Sequence, residues 1–487
     1  MRIGDFVMKN VIVRIESITL DNLKNVKHGI LELENSHKFY NASILGLYGQ
    51  NGSGKTAIID ALVLLKCALC GKRVPRRFAD LIHVDADYAM LQFDIKILNT
   101  ESSESYDVKY RFKVRQEIDD TDHNTENPVQ QNLKKKAVIF AERLTYVYSG
   151  LEGKERSLTL ADTTKGNVFG PKSRYELLVD TKKTPAIKLM VAKELAESMS
   201  RSFLFSKELI TVIRESAKDE NGWRTNAKDE KSLFVLESLI RFGNRELFII
   251  DNQANGLITG INALPLSFQY EGQDSGFGGN LFINLNGTST VPSEAYGIVQ
   301  KVLQHMNVVL SEIIPGLNIS VVKLGDKLGE DGESLVEFQV ISHKNSKDIP
   351  LKYESDGIKK IVSVLHLLIA VYNQPSITVA IDELDAGIFE YLLGELVYII
   401  SEKGKGQLIF TSHNLRPLET LDHGFVAFTT TDPDNRYVRI TNLKNNNNLR
   451  ATYYRNIILE DGQAHFYDAT NNHKIAFAFR RAGRIDG

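Results

Sequence analysis

Residues 43–65 read SILGLYGQNGSGKTAIIDALVLL, and this stretch decides the fold. Its start, 43–48, is apolar enough for a buried strand, and its end, 56–65, predicts a helix. Between them, Gly49 to Thr56 fits the phosphate-binding P-loop pattern G-x-x-x-x-G-K-[ST]. A glycine loop between a strand and a helix lets backbone N–H groups face a triphosphate, and the helix N-terminus adds positive potential. We therefore favour a nucleotide site over a glycine-rich turn before a core helix.

The P-loop pattern gives each of its residues a role. Lys55 is expected to reach the β- and γ-phosphates of ATP, and Thr56 is expected to bind Mg²⁺. ATP and Mg²⁺ are therefore the predicted cofactors. The remaining nucleotide contacts are expected from the loop residues Gly49, Asn51, Gly52, Ser53 and Gly54.

The composition is that of an ordinary globular protein. The chain has 487 residues, 43% of them hydrophobic and 25% charged, with a net charge of −2. The net charge gives no overall positive field that would indicate nucleic-acid binding, so a DNA contact would need a local basic patch. No apolar run approaches the roughly 20 residues that span a bilayer, and residues 1–10 lack the apolar core of a signal peptide. These features favour a cytoplasmic protein without a membrane partner.

The cysteine content agrees with a reducing compartment. The chain has two cysteines, Cys67 and Cys70, which is too few for a disulfide scaffold. Their C-x-x-C spacing also occurs in redox motifs and zinc sites. Because both cysteines lie in the predicted P-loop helix and no second pair exists, we favour ordinary packing.

A second apolar strand ends in two carboxylates. Residues 377–383 read ITVAIDE, which is typical of the Walker B strand at the centre of a parallel sheet. Asp382 is expected to hold Mg²⁺ opposite Thr56, and Glu383 is expected to polarise the attacking water. The alternative is an apolar strand before a charged turn. More than three hundred residues separate the two motifs, so a long insertion divides the predicted head.

Three more segments accompany this strand. Residues 384–387 (LDAG) follow it directly, 407–414 (QLIFTSHN) form a second apolar strand ending in histidine, and 353–360 (YESDGIKK) lead into an apolar helix. The ordered set resembles the ABC-type ATPase heads of the SMC, RecF and OLD group. It is most similar to the ATPase subunits of bacterial anti-phage systems. The resemblance covers about 9–70 and 345–425.

The resemblance implies further site residues. Ser355 and Gly357 occupy the signature motif, whose serine contacts the γ-phosphate held by the opposite subunit. Asp385 lies in the D-loop, and His413 lies at the switch position that senses the γ-phosphate. Lys24 falls where the family often places a basic residue near the nucleotide.

Two departures from the family pattern accompany these assignments. The signature reads Glu-Ser-Asp-Gly-Ile in place of Leu-Ser-Gly-Gly-Gln, and the metal-contacting Q-loop has no clear match. Gln92, inside a predicted strand, is the nearest candidate for that role. One P-loop and one signature per chain imply a homodimer at least, with ATP sandwiched head to tail between two chains.

The predicted fold class is α/β, a P-loop ABC-type ATPase head with a mixed sheet flanked by helices. A largely helical α+β insertion splits this head. The predicted division places the two halves of the head at 1–100 and 346–425, the insertion at 101–345, and a strand-rich extension at 426–487.

Two functional hypotheses follow. The first is an ATPase in anti-phage defence that acts as a sensor for, or a regulator of, a separate effector protein, which is a nuclease or a toxin. OLD nucleases carry a Toprim domain after the head, whereas 414–487 shows no nuclease constellation, so no intrinsic nuclease is predicted. The second is a RecF-like DNA-binding repair ATPase. Its candidate DNA contacts are Arg73, Arg76, Arg77, Arg480, Arg481 and Arg484. A transporter subunit and an AAA+ remodelling enzyme are disfavoured by the insertion and the motif spacing.

Overall fold

The computed structural model describes residues 10–35, 41–118, 135–151, 153–219, 222–223, 227–251, 263–271, 276–329, 332–440, 448–459, 466–467 and 471–482. The predicted α/β class, with the P-loop strand in a mixed sheet flanked by helices, is confirmed. No helix within these ranges is both long and apolar enough to cross a bilayer.

The strands, in chain order, are β1 (Val11–Leu23), β2 (Val26–Glu32), β3 (Ser43–Tyr48), β4 (Tyr88–Asn99), β5 (Glu104–Ile118), β6 (Lys135–Gly150), β7 (Gly153–Lys154), β8 (Leu158–Asp162), β9 (Lys218–Asp219), β10 (Gly222–Trp223), β11 (Leu247–Ile250), β12 (Ala263–Glu271), β13 (Gly276–Asn284), β14 (Thr288–Pro292), β15 (Leu317–Leu328), β16 (Ser334–Lys344), β17 (Lys347–Pro350), β18 (Thr378–Ile381), β19 (Gln407–Thr411), β20 (Val426–Thr429) and β21 (Tyr437–Val438). The α-helices are α1 (Lys55–Leu69), α2 (Lys172–Leu178), α3 (Ala186–Ser198), α4 (Lys207–Ser216), α5 (Ala227–Arg241), α6 (Ser293–Ile313), α7 (Asp356–Asn373), α8 (Glu390–Lys403), α9 (Pro417–Thr420), α10 (Leu449–Leu459) and α11 (Asn472–Ala482).

The P-loop strand β3 lies inside a six-stranded sheet of order β11-β18-β19-β3-β20-β21. Its first five strands are parallel, and β21 pairs antiparallel with β20. The carboxyl ends of β3, β18 and β19 therefore meet at one edge, where ligands of open parallel sheets bind. This topology brings the P-loop and the two carboxylates of the second motif to the same edge.

Both faces of this sheet are covered, which explains its continuous apolar strands. Along β3, Leu45 and Leu47 join a core shared with α1 and an antiparallel sheet. Ile44 and Tyr48 join a second core, shared with α6, α7 and α8. Nearly every side chain of α1 is buried between the two sheets. Cys67 is one of them, and burial raises the pKa of its thiol to about 12. Cys67 thus packs as an apolar residue, as the sequence predicted.

The antiparallel sheet has the order β2-β1-β4-β5-β6-β7, with β8 also paired to β6. β4, which contains Gln92, pairs antiparallel with β5 along its whole length. Strands on both sides of residue 100 therefore form one sheet. Long-range pairing of this kind joins elements that local sequence patterns treat separately.

Two other segments also join the central sheet from outside the predicted halves of the head. β11 comes from the predicted insertion and pairs with β18, while β20 and β21 come from the predicted extension. The expectation of a strand-rich extension is wrong for its later described part, which forms α10 and α11. In α10, Leu449 and Tyr453 are buried at helical spacing, and Tyr453 stacks on Phe428 of β20, so packing overrides the strand propensity of the aromatic residues.

Candidate functional site

The P-loop forms the predicted turn between β3 and α1. Gly54 caps the helix with φ 96°, a conformation that favours glycine. The Lys55 amine donates to the carbonyl oxygens of Gly49 at 2.7 Å and Gln50 at 3.0 Å. The lysine ammonium is therefore held inside the loop, where phosphate oxygens are expected. Thr56 lies on the first turn of α1, and Asn51 is exposed.

Residues far along the chain hold this loop in place. The Tyr437 hydroxyl donates to the Gly54 carbonyl at 2.9 Å, and the hydroxyls of Ser53 and Thr429 are hydrogen-bonded to each other. A Cβ on Gly49 would overlap Thr429 Oγ1, so only glycine fits there. Sequence reasoning missed Thr429 and Tyr437 because no local signal links β20 and β21 to the P-loop.

The carboxylates that follow β18 are held by the neighbouring strand β19. Thr411 Oγ1 donates to Asp382 Oδ1 at 2.6 Å and accepts from the backbone N–H of Glu383 at 2.7 Å. Glu383 has φ 49°, a strained conformation for a non-glycine residue. Burial raises the pKa of Asp382, the Thr411 hydrogen bond opposes this, and Asp251 and Glu383 raise it further. A single threonine thus contacts the carboxylate of the predicted metal ligand Asp382 and the backbone of the predicted catalytic residue Glu383.

The P-loop lysine and these carboxylates interact across the sheet edge. Burial lowers the pKa of Lys55, and the negative charges of Asp382, Glu383 and Asp385 oppose that shift. The structure therefore brings together the cation of the first motif and the acids of the second.

The residues at this edge fit Mg²⁺ together with a nucleotide. Mg²⁺ prefers oxygen ligands and usually keeps waters and substrate phosphates in its shell. Thr56 and Asp382 offer a hydroxyl and a carboxylate. Among the described residues no three His, Cys, Asp or Glu side chains form a metal-binding group. The protein would thus hold the ion by one or two side chains, with phosphates completing the shell.

A carboxylate that the sequence analysis missed lies beside Asp382. Asp251 directly follows β11, is 4% exposed, and accepts from Arg77 Nη2 at 2.7 Å. The same guanidinium lies 3.4 Å from Asp60 on α1, and Asp60 is also ion-paired with Lys24. The available signal was an apolar strand followed by aspartate, the pattern that marked Asp382.

Asp385, in the predicted D-loop (the D-loop segment, residues 384–387), is joined to the predicted switch residue His413. Its Oδ2 accepts from the backbone N–H groups of His413 and Asn414, both at 3.0 Å. His413 itself is exposed. The fold thus brings Asp385 and His413 together.

The predicted signature residues lie at the start of α7. Ser355 caps this helix, and its Oγ accepts from the backbone N–H of Ile358 at 3.3 Å. A Cβ on Gly357 would overlap the carbonyl oxygen of Gly387, so the helix start packs directly on the segment after Asp385. Ser355 is exposed, and it accepts hydrogen bonds from backbone N–H groups of its own helix.

The remaining predicted residues lie outside the P-loop and outside β18 and β19, although the charge of Lys24 lowers the pKa of Asp382. Lys24, in the β1–β2 turn, contacts α1 through Asp60. Gln92 lies in the middle of β4 in the antiparallel sheet, and its amide donates to Asp94 Oδ1 at 3.2 Å. This position does not support a metal-binding role for Gln92, because its side chain bonds a residue of its own strand and not a residue of the P-loop edge. Arg77 bonds inward to Asp251, and Arg484 lies outside the described residues.

Comparisons with known proteins give the following similarities. A protein-family model described as an AAA domain matches residues 17–239, just under half of the chain, including the P-loop. No curated protein sequence matches. A crystal structure of an SMC head bound to the C-terminal winged-helix domain of ScpA is similar at 13% identity and TM-score 0.38, covering 88% of this chain and 98% of that one.

Two further solved structures are similar at the same coverage of this chain, 88%. The SMC head domain from Thermotoga maritima has 12% identity and TM-score 0.33, with 99% of that chain covered. The recombination mediator RecF with ATP has 12% identity and TM-score 0.35, with 100% covered. At these TM-scores the similarities define neither the fold nor the function of this chain.

Proposed function

We propose that this chain binds ATP with Mg²⁺ and hydrolyses it to ADP and phosphate. The observation that carries the proposal is the meeting of Lys55 with Asp382 and Glu383 at the carboxyl edge of one parallel sheet. These residues come from distant parts of the chain, and their charges influence one another. A complete P-loop beside two carboxylates matches the chemistry of phosphoryl transfer.

The roles of the residues follow from their positions. The loop N–H groups and Lys55 bind the phosphates and oppose the negative charge that develops during transfer. Thr56 and Asp382 hold the Mg²⁺, which neutralises phosphate charge when bound. Glu383 orients and polarises the attacking water, and His413 senses the γ-phosphate.

We further propose that the complete site needs two copies of the chain. The exposed Ser355 and the partly buried Gly357 at the start of α7 would contact the nucleotide held by the other copy. Nucleotide would then close the dimer, and hydrolysis would open it. Exposure of the α7 N-terminus supports this arrangement, because helix N-terminal N–H groups bind phosphate well.

Two variants test this proposal. Lys55→Ala is expected to weaken binding of a fluorescent ATP analogue, because the loop loses its cation. Glu383→Gln is expected to bind ATP, hydrolyse it at least about a hundredfold more slowly, and accumulate as a dimer in light scattering. Undiminished turnover by Glu383→Gln would refute the role of Glu383, and a monomer at saturating ATP would refute the shared site.

The biological role that we favour is regulation of a separate effector, a nuclease or toxin, in anti-phage defence. It rests on the resemblance of the motif set to the ATPase subunits of bacterial anti-phage systems. Affinity purification with and without ATP would identify the effector. Purified chain that cuts DNA without any partner would contradict this role.

A RecF-like DNA-binding ATPase is the second candidate. The exposed Arg73 and Arg76, and the exposed α11 with Arg480 and Arg481, favour it. DNA binding through such residues should weaken steeply with salt. A gel shift at two salt concentrations, compared with Arg73→Ala/Arg76→Ala, separates DNA binding from a role directed only at proteins.

A further inference from the structure

Lys360, near the start of α7, is a buried lysine whose amine has no hydrogen-bond partner among the described residues. Within the described ranges five lysines are buried: Lys55, Lys66, Lys136, Lys359 and Lys360. The first four donate hydrogen bonds to oxygen atoms. The Lys360 amine, on a residue only 1% exposed, has no hydrogen-bond partner in that part of the chain. Burying an unpaired ammonium costs several kcal/mol, so its retention needs a reason beyond packing.

The surroundings of Lys360 are acidic. Burial lowers its pKa, and the charges of Asp382, Glu383 and Asp385 oppose that shift. The same three carboxylates act on the P-loop residue Lys55. Two lysines from separate elements therefore lie in the field of one acidic group, and only Lys55 belongs to the P-loop.

The start of α7 is also mechanically joined to this acidic group. Gly357 packs against the backbone of Gly387, leaving no room for a Cβ. Ile358 to Lys360 follow on the same helix, and α7 packs on the Walker B strand β18 through the second hydrophobic core. A displacement of the exposed helix start would therefore be transmitted to residues 382–387.

We propose that Lys360 is a positioning residue that couples the signature end of α7 to the catalytic carboxylates of its own chain. This inference rests on the proposed function. When the nucleotide of one copy engages Ser355 and Gly357 of the other, the Lys360 ammonium carries the movement to Glu383 and Asp385. Occupation of one site thereby sets the geometry of the second, and the two sites hydrolyse ATP cooperatively.

The test compares three variants of the full chain. Lys360→Met replaces the charge with an apolar side chain of similar length, and Lys360→Arg keeps the charge. Lys359→Met is the matched control, because Lys359 directly precedes Lys360 on α7 but its amine is paired with Asp356 at 2.9 Å. We measure thermal unfolding, affinity for a fluorescent ATP analogue, kcat, KM and the Hill coefficient for ATP.

Lys360→Met is expected to lower kcat about tenfold and bring the Hill coefficient from above 1 to about 1. Its ATP affinity should stay within about twofold and its unfolding temperature should be equal or higher, because an unpaired buried charge is removed. Lys360→Arg should recover most of the kcat, and Lys359→Met should retain it.

Several results would overturn the coupling role. These are an unchanged kcat in Lys360→Met, a loss of kcat that ATP affinity follows in proportion, or a Lys360→Met chain that unfolds at lower temperature or fails to fold. Each would make Lys360 either unused or purely structural. If the unaltered chain hydrolyses no ATP, the proposed function itself fails. If the unaltered chain and Lys360→Met hydrolyse ATP equally fast, only the coupling role of Lys360 fails.

Discussion

Two charged side chains are buried in this molecule under opposite conditions. Glu142, on β6 of the antiparallel sheet, is 2% exposed and accepts four hydrogen bonds. Its donors are the Tyr110 and Ser202 hydroxyls and the backbone N–H groups of Phe203 and Leu204. Lys360, behind the carboxyl edge of the parallel sheet, has no hydrogen-bond partner among the described residues.

The difference separates a charge that organises structure from one that we assign to function. A buried carboxylate with four donors pins a loop to a sheet, and its removal leaves those donors unsatisfied. A buried ammonium without a partner lowers stability, so a role in the chemistry of neighbouring carboxylates explains it better.

The largest effect on stability is expected from Glu142→Ala. The substitution leaves buried hydroxyl and N–H donors without an acceptor, which should lower the free energy of unfolding by about 3 kcal/mol or more. Urea unfolding, followed by circular dichroism, measures this loss. Glu142→Gln is the control, because an amide keeps an acceptor oxygen and the side-chain volume, so it should be much milder. A stability of Glu142→Ala that equals that of the unaltered chain, as is expected at least of Lys360→Met, would remove the contrast between the two charges.

The next largest effect is expected from Gly357→Ala. The new Cβ would overlap the Gly387 carbonyl oxygen, which forces α7 away from the D-loop segment at a cost of about 1–3 kcal/mol. ATP hydrolysis and ATP-dependent dimerisation should both decrease strongly. Gly297→Ala in α6 is the matched control, since its Cβ would meet nothing within 4 Å. That control should be stabilised slightly, by about 0.5–1 kcal/mol. Full activity of Gly357→Ala would show that α7 and the D-loop segment move independently.

Around Lys360, the sequence predicts the features that depend only on residues close together in the chain. A strand buried on both faces is apolar throughout, so the residues before Gly49 and before Asp382 were recognisable, as were the P-loop and the carboxylates. The α/β class followed from these patterns. The apolar helix that follows residues 353–360 was also recognisable from its pattern, and the structure begins it at Asp356.

What the sequence did not predict depends on long-range pairing. Asp251 reaches Asp382 only because β11 pairs with β18, and Tyr437 reaches Gly54 only because β20 and β21 complete the sheet. The pattern of β4 identified Gln92 as a strand residue, but it could not tell which sheet the strand would join. The partner of a buried charge, such as Glu142 or Lys360, is likewise set by tertiary packing.

A smaller effect, on catalysis, is expected from Thr411→Val. Valine has the same shape but cannot bond Asp382 or accept from the Glu383 N–H, so the carboxylates lose their shared support. We expect kcat to decrease about tenfold, as for a misplaced catalytic group. Thr378→Val is the matched control. Thr378 lies at the start of β18, at the end of the strand opposite to Asp382, and its hydroxyl donates to Gln407 at 3.0 Å. Equal losses of kcat in both variants would mean that strand stability, and not carboxylate geometry, limits the reaction.

The smallest expected effect is the pH dependence contributed by Glu142. Burial raises its pKa, and the hydrogen bonds from Ser202, Tyr110 and the backbone oppose that shift. The folded protein therefore keeps this proton to higher pH than the unfolded chain does. The stabilisation from protonated Glu142 is fully present below the ordinary pKa of 4.5 and is lost as the pH rises through the raised value in the folded state.

Glu142→Gln isolates this contribution, because glutamine carries no charge at any pH. The unfolding free energy of the unaltered chain minus that of Glu142→Gln should decline as the pH rises above about 4.5 and then become constant. Urea unfolding at several pH values measures that difference. A difference that does not change with pH would show that the four donors compensate fully for burial. In that case Glu142 would titrate as it does in water, and the contrast with Lys360 would be larger than the pKa direction indicates.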